Sequence, residues 1–184
     1  GKNSLILGGV SLLWIATASF VYYNTQELNS YDSRDEREQI SVDYEKELKK
    51  YEKITLPKVK EVVYTLDIYP NDRDVKVKAN LIVKNETNKA IDSIHYNINS
   101  DTDPTITIPT AQLVFYDERL GYRIYELSKP LQPGESTKIK IEIDYISEGF
   151  ENGTGNTSIV RNGTFLNNRV IPQMGYNSSA EISD

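Results

Sequence analysis

Hydrophobic and polar positions follow three rhythms along this chain. The first has no period. From Leu5 to Tyr23 no residue carries a charge. As a helix rising about 1.5 Å per residue, the run reaches roughly 28 Å, close to the hydrocarbon thickness of a bilayer. Leu5, Leu12, Trp14 and Phe20 are the expected anchor residues within it, and Tyr22 and Tyr23 end it where an aromatic belt sits. A buried core helix and a cleaved signal peptide are the rival readings. Against the second, the run is long for a signal and only Lys2 precedes it. With Lys2 before the run, and Arg34 and Arg37 after it among acids, the positive-inside rule gives little orientation.

The second rhythm is helical. After a polar neck from Asn24 to Asp32, Ser33-Arg34-Asp35-Glu36 fits a capping box. Ile40, Tyr44, Leu48 and Tyr51 follow at spacings of four, four and three, a narrow apolar stripe. Glu45 and Lys49 form an i,i+4 pair in the favourable order. Pro57 ends the segment. The favoured reading is a helix packed on the domain that follows, or a stalk; the alternative is a coupling helix at a membrane surface.

From Lys58 the period becomes two, the mark of strands with one face buried and one wet. Val62, Tyr64, Leu66 and Ile68 share one face of a first strand, and Pro70-Asn71-Asp72 turns the chain. Val75, Val77, Ala79, Leu81 and Val83 share a face of a second, opposite Lys76, Lys78, Asn80 and Lys84, with Ile82 an apolar exception. Ile94, Tyr96 and Ile98 make a third, and Thr105 to Ile108 a short one. Leu113–Tyr116 and Tyr122–Leu127 pair around Asp117–Gly121. The clearest alternation runs from Lys138 to Tyr145, with Ile139, Ile141, Ile143 and Tyr145 against Lys138, Lys140, Glu142 and Asp144. Together with the strand from Tyr122, and with Pro133-Gly134 as the turn, it reads as a hairpin. About seven short strands with turn signals every ten or so residues predict an antiparallel β-sandwich or curved sheet. The organisation expected is therefore a transmembrane helix over 1–24, a neck and amphipathic helix over 25–57, and a β domain over 58–184. Within it, Gly149 to Gly163 is rich in glycine, asparagine and threonine and reads as a long loop, or an edge that a neighbour must cover, with apolar returns at Thr164–Leu166 and Val170–Pro172.

Composition narrows the chemistry. The net charge of −6 argues against nucleic acid as a partner, since phosphates call for a basic stripe. With no cysteine and one histidine, His95, thiolate chemistry and three-histidine zinc sites are excluded within the chain. His95 lies opposite Ile94 and Tyr96, with no catalytic partner at a telling distance, and reads as structural or solvated. Asp101-Thr-Asp103 places two carboxylates as in a calcium loop but lacks the glycine and remaining acids, so it reads as an acidic turn. Asn85, Asn152, Asn156, Asn162 and Asn177 begin N-x-Ser/Thr triplets, which matter only in a eukaryotic secretory pathway. The residues themselves predict no catalytic, cofactor-binding or metal-ligating set.

Four pieces in order go further: Tyr64-Thr-Leu-Asp-Ile-Tyr with the lysine-rich strand after it; Ile94-His-Tyr-Asn; Tyr122-Arg-Ile-Tyr-Glu-Leu with Pro130-Leu-Gln-Pro-Gly-Glu and Tyr145; and Asn162-Gly-Thr-Phe-Leu with Ile171-Pro-Gln-Met-Gly-Tyr. Over about 58–184 this order resembles the saddle-like N-terminal β domain of M1-family zinc aminopeptidases, in the bacterial membrane form that follows an ABC-2-type permease. The resemblance implies a fragment of a larger protein in a bacterial inner membrane. Upstream permease helices and a downstream peptidase domain of the same chain would be its partners beside lipid, and the β domain would be extracytoplasmic. Zinc and peptide substrate would belong to that downstream domain. The family's His-Glu-x-x-His and Gly-x-Met-Glu-Asn motifs do not occur here. Arg169 and Pro172 match an arginine-proline spot only loosely, so no substrate contact carries over. The readings from other classes are an anchored adhesion or carbohydrate-binding sandwich, and a transporter accessory domain with no peptidase.

Overall fold

A computed structural model of the chain describes residues 1–28, 32–98, 102–149, 158–167 and 170–182. The chain divides into two units, one built on residues 1–33 and one holding 34–146 and 158–184.

In the first unit, α1 (Lys2–Tyr22) continues into a π-helical turn, Tyr23–Glu27. It is long and apolar enough to cross a membrane. None of its residues is buried, and Leu5 and Trp14 are 79% and 71% exposed.

In the second unit, α2 (Arg34–Leu48) begins just after Ser33 and ends in a 3₁₀ turn, Lys49–Tyr51. Two four-stranded antiparallel sheets follow. Sheet A has the order β1 (Lys58–Tyr69), β2 (Asp74–Lys84), β7 (Ser136–Tyr145), β4 (Thr105–Thr107). Sheet B has the order β10 (Gln173–Met174), β3 (Ile91–Asn97), β6 (Tyr122–Leu131), β5 (Ala111–Asp117). A small hairpin, β8 (Ile159–Val160) and β9 (Gly163–Thr164), stands apart. It puts Ile159 into the main core, within a stretch that the sequence marks as loop.

The alternating rows are where their period places them. Val75 to Val83 on β2 and Ile139, Ile141 and Ile143 on β7 are buried against Ile94, Tyr96, Tyr125, Leu127 and Leu131 of sheet B. In register, Ala79 faces Ile141 and Lys78 faces Glu142, so apolar meets apolar inside and opposite charges meet outside. A second, smaller core lies on the other face of sheet B, where Tyr44 and Leu48 of α2 cover Leu120, Tyr122 and Ile124. α2 thus packs on the β domain, and β6 is buried on both faces from Tyr122 to Tyr125.

The expected hairpin at Pro133-Gly134 is corrected. β6 and β7 lie in different sheets, and the turn carries the chain from B to A. The β2–β3 connection crosses the other way, and both are stitched at Asn85. Its N–H donates to the Glu135 carbonyl (2.9 Å), and its carbonyl accepts from Gly134 N–H (2.8 Å). In contrast, the expected pairing around Asp117–Gly121 holds between β5 and β6. Gly121 is required there. Its φ is +60°, and a Cβ would stand 2.4 Å from the Ile98 carbonyl oxygen.

Candidate functional site

Three places concentrate polar chemistry outside ordinary ladders, and each is traceable to a local device in the sequence. On α1 the polar side chains bond to their own helix. Thr17 Oγ1 donates to Leu13 O (2.9 Å), Asn24 Nδ2 to Phe20 O (2.8 Å) and Thr25 Oγ1 to Val21 O (2.8 Å). A hydroxyl satisfied by the carbonyl four residues back exposes little unmet hydrogen bonding, and Leu5, Leu12, Trp14 and Phe20 lie exposed on the same helix.

His95 is at the centre of the second place. Period two sends it to the face of β3 opposite Ile94 and Tyr96, and α2 covers that face. It is 3% exposed. Its Nδ1 pairs with the Tyr122 hydroxyl (3.1 Å) and its Nε2 with Ser93 Oγ (3.0 Å), while the Tyr51 ring meets it edge-on at 4.9 Å. Burial lowers its pKa to about 4, so the ring is neutral at pH 7. With both nitrogens engaged, and no carboxylate bonded to it among the described residues, the imidazole has no lone pair aimed at a reactant. The aromatic wall continues through Tyr122, stacked on Tyr51 at 5.8 Å, and Tyr44, stacked on Tyr176 at 5.1 Å. The Tyr44 hydroxyl accepts from Asn97 Nδ2 (3.1 Å) and from the Asn177 N–H (2.9 Å). Tyr176 in turn donates to Glu181 Oε1 (2.9 Å), whose second oxygen takes Lys49 Nζ (3.2 Å). These bonds fix α2 and its 3₁₀ turn to the C-terminal segment.

The third place is the buried Arg123. It points from β6 to the sandwich side, with Nη1 donating to Pro104 O (2.6 Å), Nη2 paired with Asp103, and the guanidinium over the Tyr116 ring at 4.4 Å. Its Nε has no partner among the described residues, and neither has the Tyr96 hydroxyl. The arrangement clamps the segment before β4 onto sheet B. Sequence reasoning missed it, although a cation inside an otherwise apolar and aromatic strand is a readable signal.

The remaining candidates resolve individually. Asp103 engages Arg123, and Asp101 lies outside the described residues, as do Asn152, Asn156 and Arg169. Asn85 is fully buried. Its Nδ2 donates to Lys89 O (2.7 Å) and Leu131 O (2.8 Å), and its Oδ1 accepts from the Thr87 N–H (2.9 Å) and hydroxyl (2.7 Å). Asn85-Glu86-Thr87 is therefore a structural turn, because both amide hydrogens of a would-be acceptor are committed. Asn177 caps the turn Ser178–Ala180 by accepting from Ser179 N–H (3.1 Å). Among the described residues no group of three His, Asp or Glu side chains could hold a metal ion.

No protein-family model matches the chain, and no curated protein matches it.

Proposed function

We propose that this chain is a membrane-anchored, non-catalytic β-sandwich domain that scaffolds an M1-like zinc peptidase in the same polypeptide, downstream of permease helices. The observation that carries the anchoring is α1, a 21-residue uncharged-core helix with none of its residues buried. The non-catalytic role rests on how the polar groups are used. His95, Arg123 and Asn85 hold the fold together and present nothing to a substrate. The peptidase reading is supported by the order of the four sequence pieces, which fall on β1–β2, on β3, on β6–β7 and on the β9–β10 region.

The test is made on the native protein. An antibody raised against the β domain should retain, from detergent-solubilised membranes, one polypeptide much longer than 184 residues. That polypeptide should release an aminoacyl chromophore in a zinc-dependent way. A retained polypeptide of about this length with no such activity would sink the peptidase reading and favour an anchored binding module. Recovery of the antigen in the soluble fraction would sink the anchoring.

A further inference from the structure

β1 is the longest strand, and it stands at the edge of sheet A. Among the described residues, nothing pairs with its free side. Long edges of this kind are ordinarily blunted by lysines and other charged side chains, by proline, by an inward charge, by shortness or by a bulge. Lys58, Lys60 and the one irregularity, between Val59 and Glu61, lie at the start of β1; from Glu61 to Tyr69 there is no lysine, proline, inward charge or bulge, and the charges are Glu61 and Asp67. Its inward row is Val59, Val62, Tyr64, Leu66 and Ile68, which pairs across to the buried row of β2. Four of the five are nevertheless 37–47% exposed. The opposite row is polar except for Val63, its only aliphatic residue, 52% exposed, and the terminal Tyr69.

We propose that β1 pairs antiparallel with β1 of a second copy of this chain, about a two-fold axis at Val63, so that two copies of sheet A merge into one sheet of eight strands. The inference rests on β1 alone and is independent of any peptidase.

Charge selects the register. A two-fold antiparallel ladder sets residues of the same face opposite one another. Centred on Tyr64, it opposes Glu61 to Asp67 of the copy, twice, and like charges in direct opposition destabilise. Centred on Thr65, it sets both Asp67 carboxylates against Val63 with no cation. Centred on Val63, it opposes Glu61 to Thr65. Counted through the extra residue Lys60, it also opposes Lys58 to Asp67. On the inward row the same register sets Val62 against Tyr64 and Val59 against Leu66. Each Asp67 then gains an ammonium, Val59, Val62, Tyr64 and Leu66 each meet an apolar side chain of the copy, and Val63 meets itself at the axis, with Ile68 beyond the end of the ladder. The Lys58 ammonium is 71% exposed and pairs with Glu86 at 3.6 Å, an exposed pair of small worth that it can exchange for Asp67 of the copy. Two copies held in one bilayer would meet at a raised effective concentration, which favours a modest interface.

The chain has no cysteine, so Val63→Cys introduces its sole thiol. The full chain is reconstituted in lipid vesicles and oxidised with copper phenanthroline. Val63→Cys should form a disulfide dimer of twice the chain mass, far above Lys138→Cys on the wet face of β7. The pair Glu61→Cys with Thr65→Cys should cross-link as well. Asp67→Lys should suppress the Val63→Cys dimer, and adding Lys58→Asp should restore it. Far-UV circular dichroism unchanged from the parent shows each variant folded, and sedimentation of the cysteine-free chain in micelles should show a concentration-dependent dimer. Cross-linking of Val63→Cys no better than the control overturns the proposal. So does indifference to Asp67→Lys, or a product whose mass shows another protein on the edge.

Discussion

Acidifying the protein from pH 7 to pH 4 should remove about 3 kcal/mol of stability through one side chain. His95 is neutral in its pocket because burial lowers its pKa to about 4, whereas in the unfolded chain it takes a proton near 6.5. The sign follows from proton uptake. The unfolded state binds the proton first, so stability is complete above about pH 6.5, falls as pH drops toward 4, and changes little further from this group below that. At about 1.4 kcal/mol per tenfold difference in proton affinity, the gap amounts to roughly 3 kcal/mol, a large share of the 5–15 kcal/mol typical of a domain. Protonation would also oblige the ring to donate at both nitrogens, toward Ser93 and Tyr122, beside the Tyr51 ring edge. The assay is denaturant unfolding of the full chain in micelles at pH 7, 5.5 and 4.5, followed by tyrosine near-UV dichroism, for the parent and for His95→Gln. Asp43, Glu86, Glu142 and Glu181 have lowered pKa values, first through hydrogen bonds to Arg119, Lys60, Lys140 and Tyr176 respectively. Their stabilisation is present above the ordinary carboxylate value and lost below it, in a lower window. Between pH 6.5 and 4.5 the parent should therefore lose most of its effect while His95→Gln loses little. Equal losses in the two proteins, or a histidine titrating near 6.5 by proton NMR, would refute the burial argument.

Other outcomes follow from the same contacts. Asn85→Ala strands the Leu131 and Lys89 carbonyls and should cost about 3 kcal/mol in denaturant unfolding. Ile141→Asp places a carboxylate in the fully buried row of β7 and should cost several kcal/mol, while Lys140→Asp on the wet face should cost under about 1 kcal/mol; equal falls in melting temperature would contradict the assignment of faces. Deleting residues 1–23 should release a soluble, β-rich product; a deleted form that stays in the membrane pellet and needs detergent would contradict the anchor reading. The purified chain should not release aminoacyl chromophores with zinc added, and zinc-dependent release abolished by His95→Ala would contradict the non-catalytic reading.

Much of this fold is legible as rhythm. Val75 to Val83 and Ile139 to Ile143 alternate because one face is buried and one is wet, and period two records that directly. It does not record which sheet a strand joins. Thus the turn at Pro133-Gly134 looks like a hairpin, although the bonds that redirect it come from Asn85, some fifty residues earlier. Period also fails where both faces are covered. Tyr122 and Ile124 face α2 while Arg123 and Tyr125 face the sandwich, so β6 blurs the alternation that exposed strands keep. β1 and β2 read alike, yet only β2 lies between two partner strands. The Arg123 clamp was hidden because its partners, Pro104 and Asp103, lie 19 and 20 residues away.

The crossovers at Asn85 have a consequence during synthesis. β2 can zip to β1 as soon as both emerge, but its other neighbour, β7, ends only at Tyr145. At about 5–20 residues per second, the roughly sixty intervening residues take some 3–12 seconds to appear. Through that interval the β1–β2 ribbon displays an uncovered row from Val75 to Val83, and neither sheet can close before both corners at Asn85 have formed. The nascent chain is most vulnerable to capture or misassembly there, and a pause in translation before residue 136 would lengthen that window.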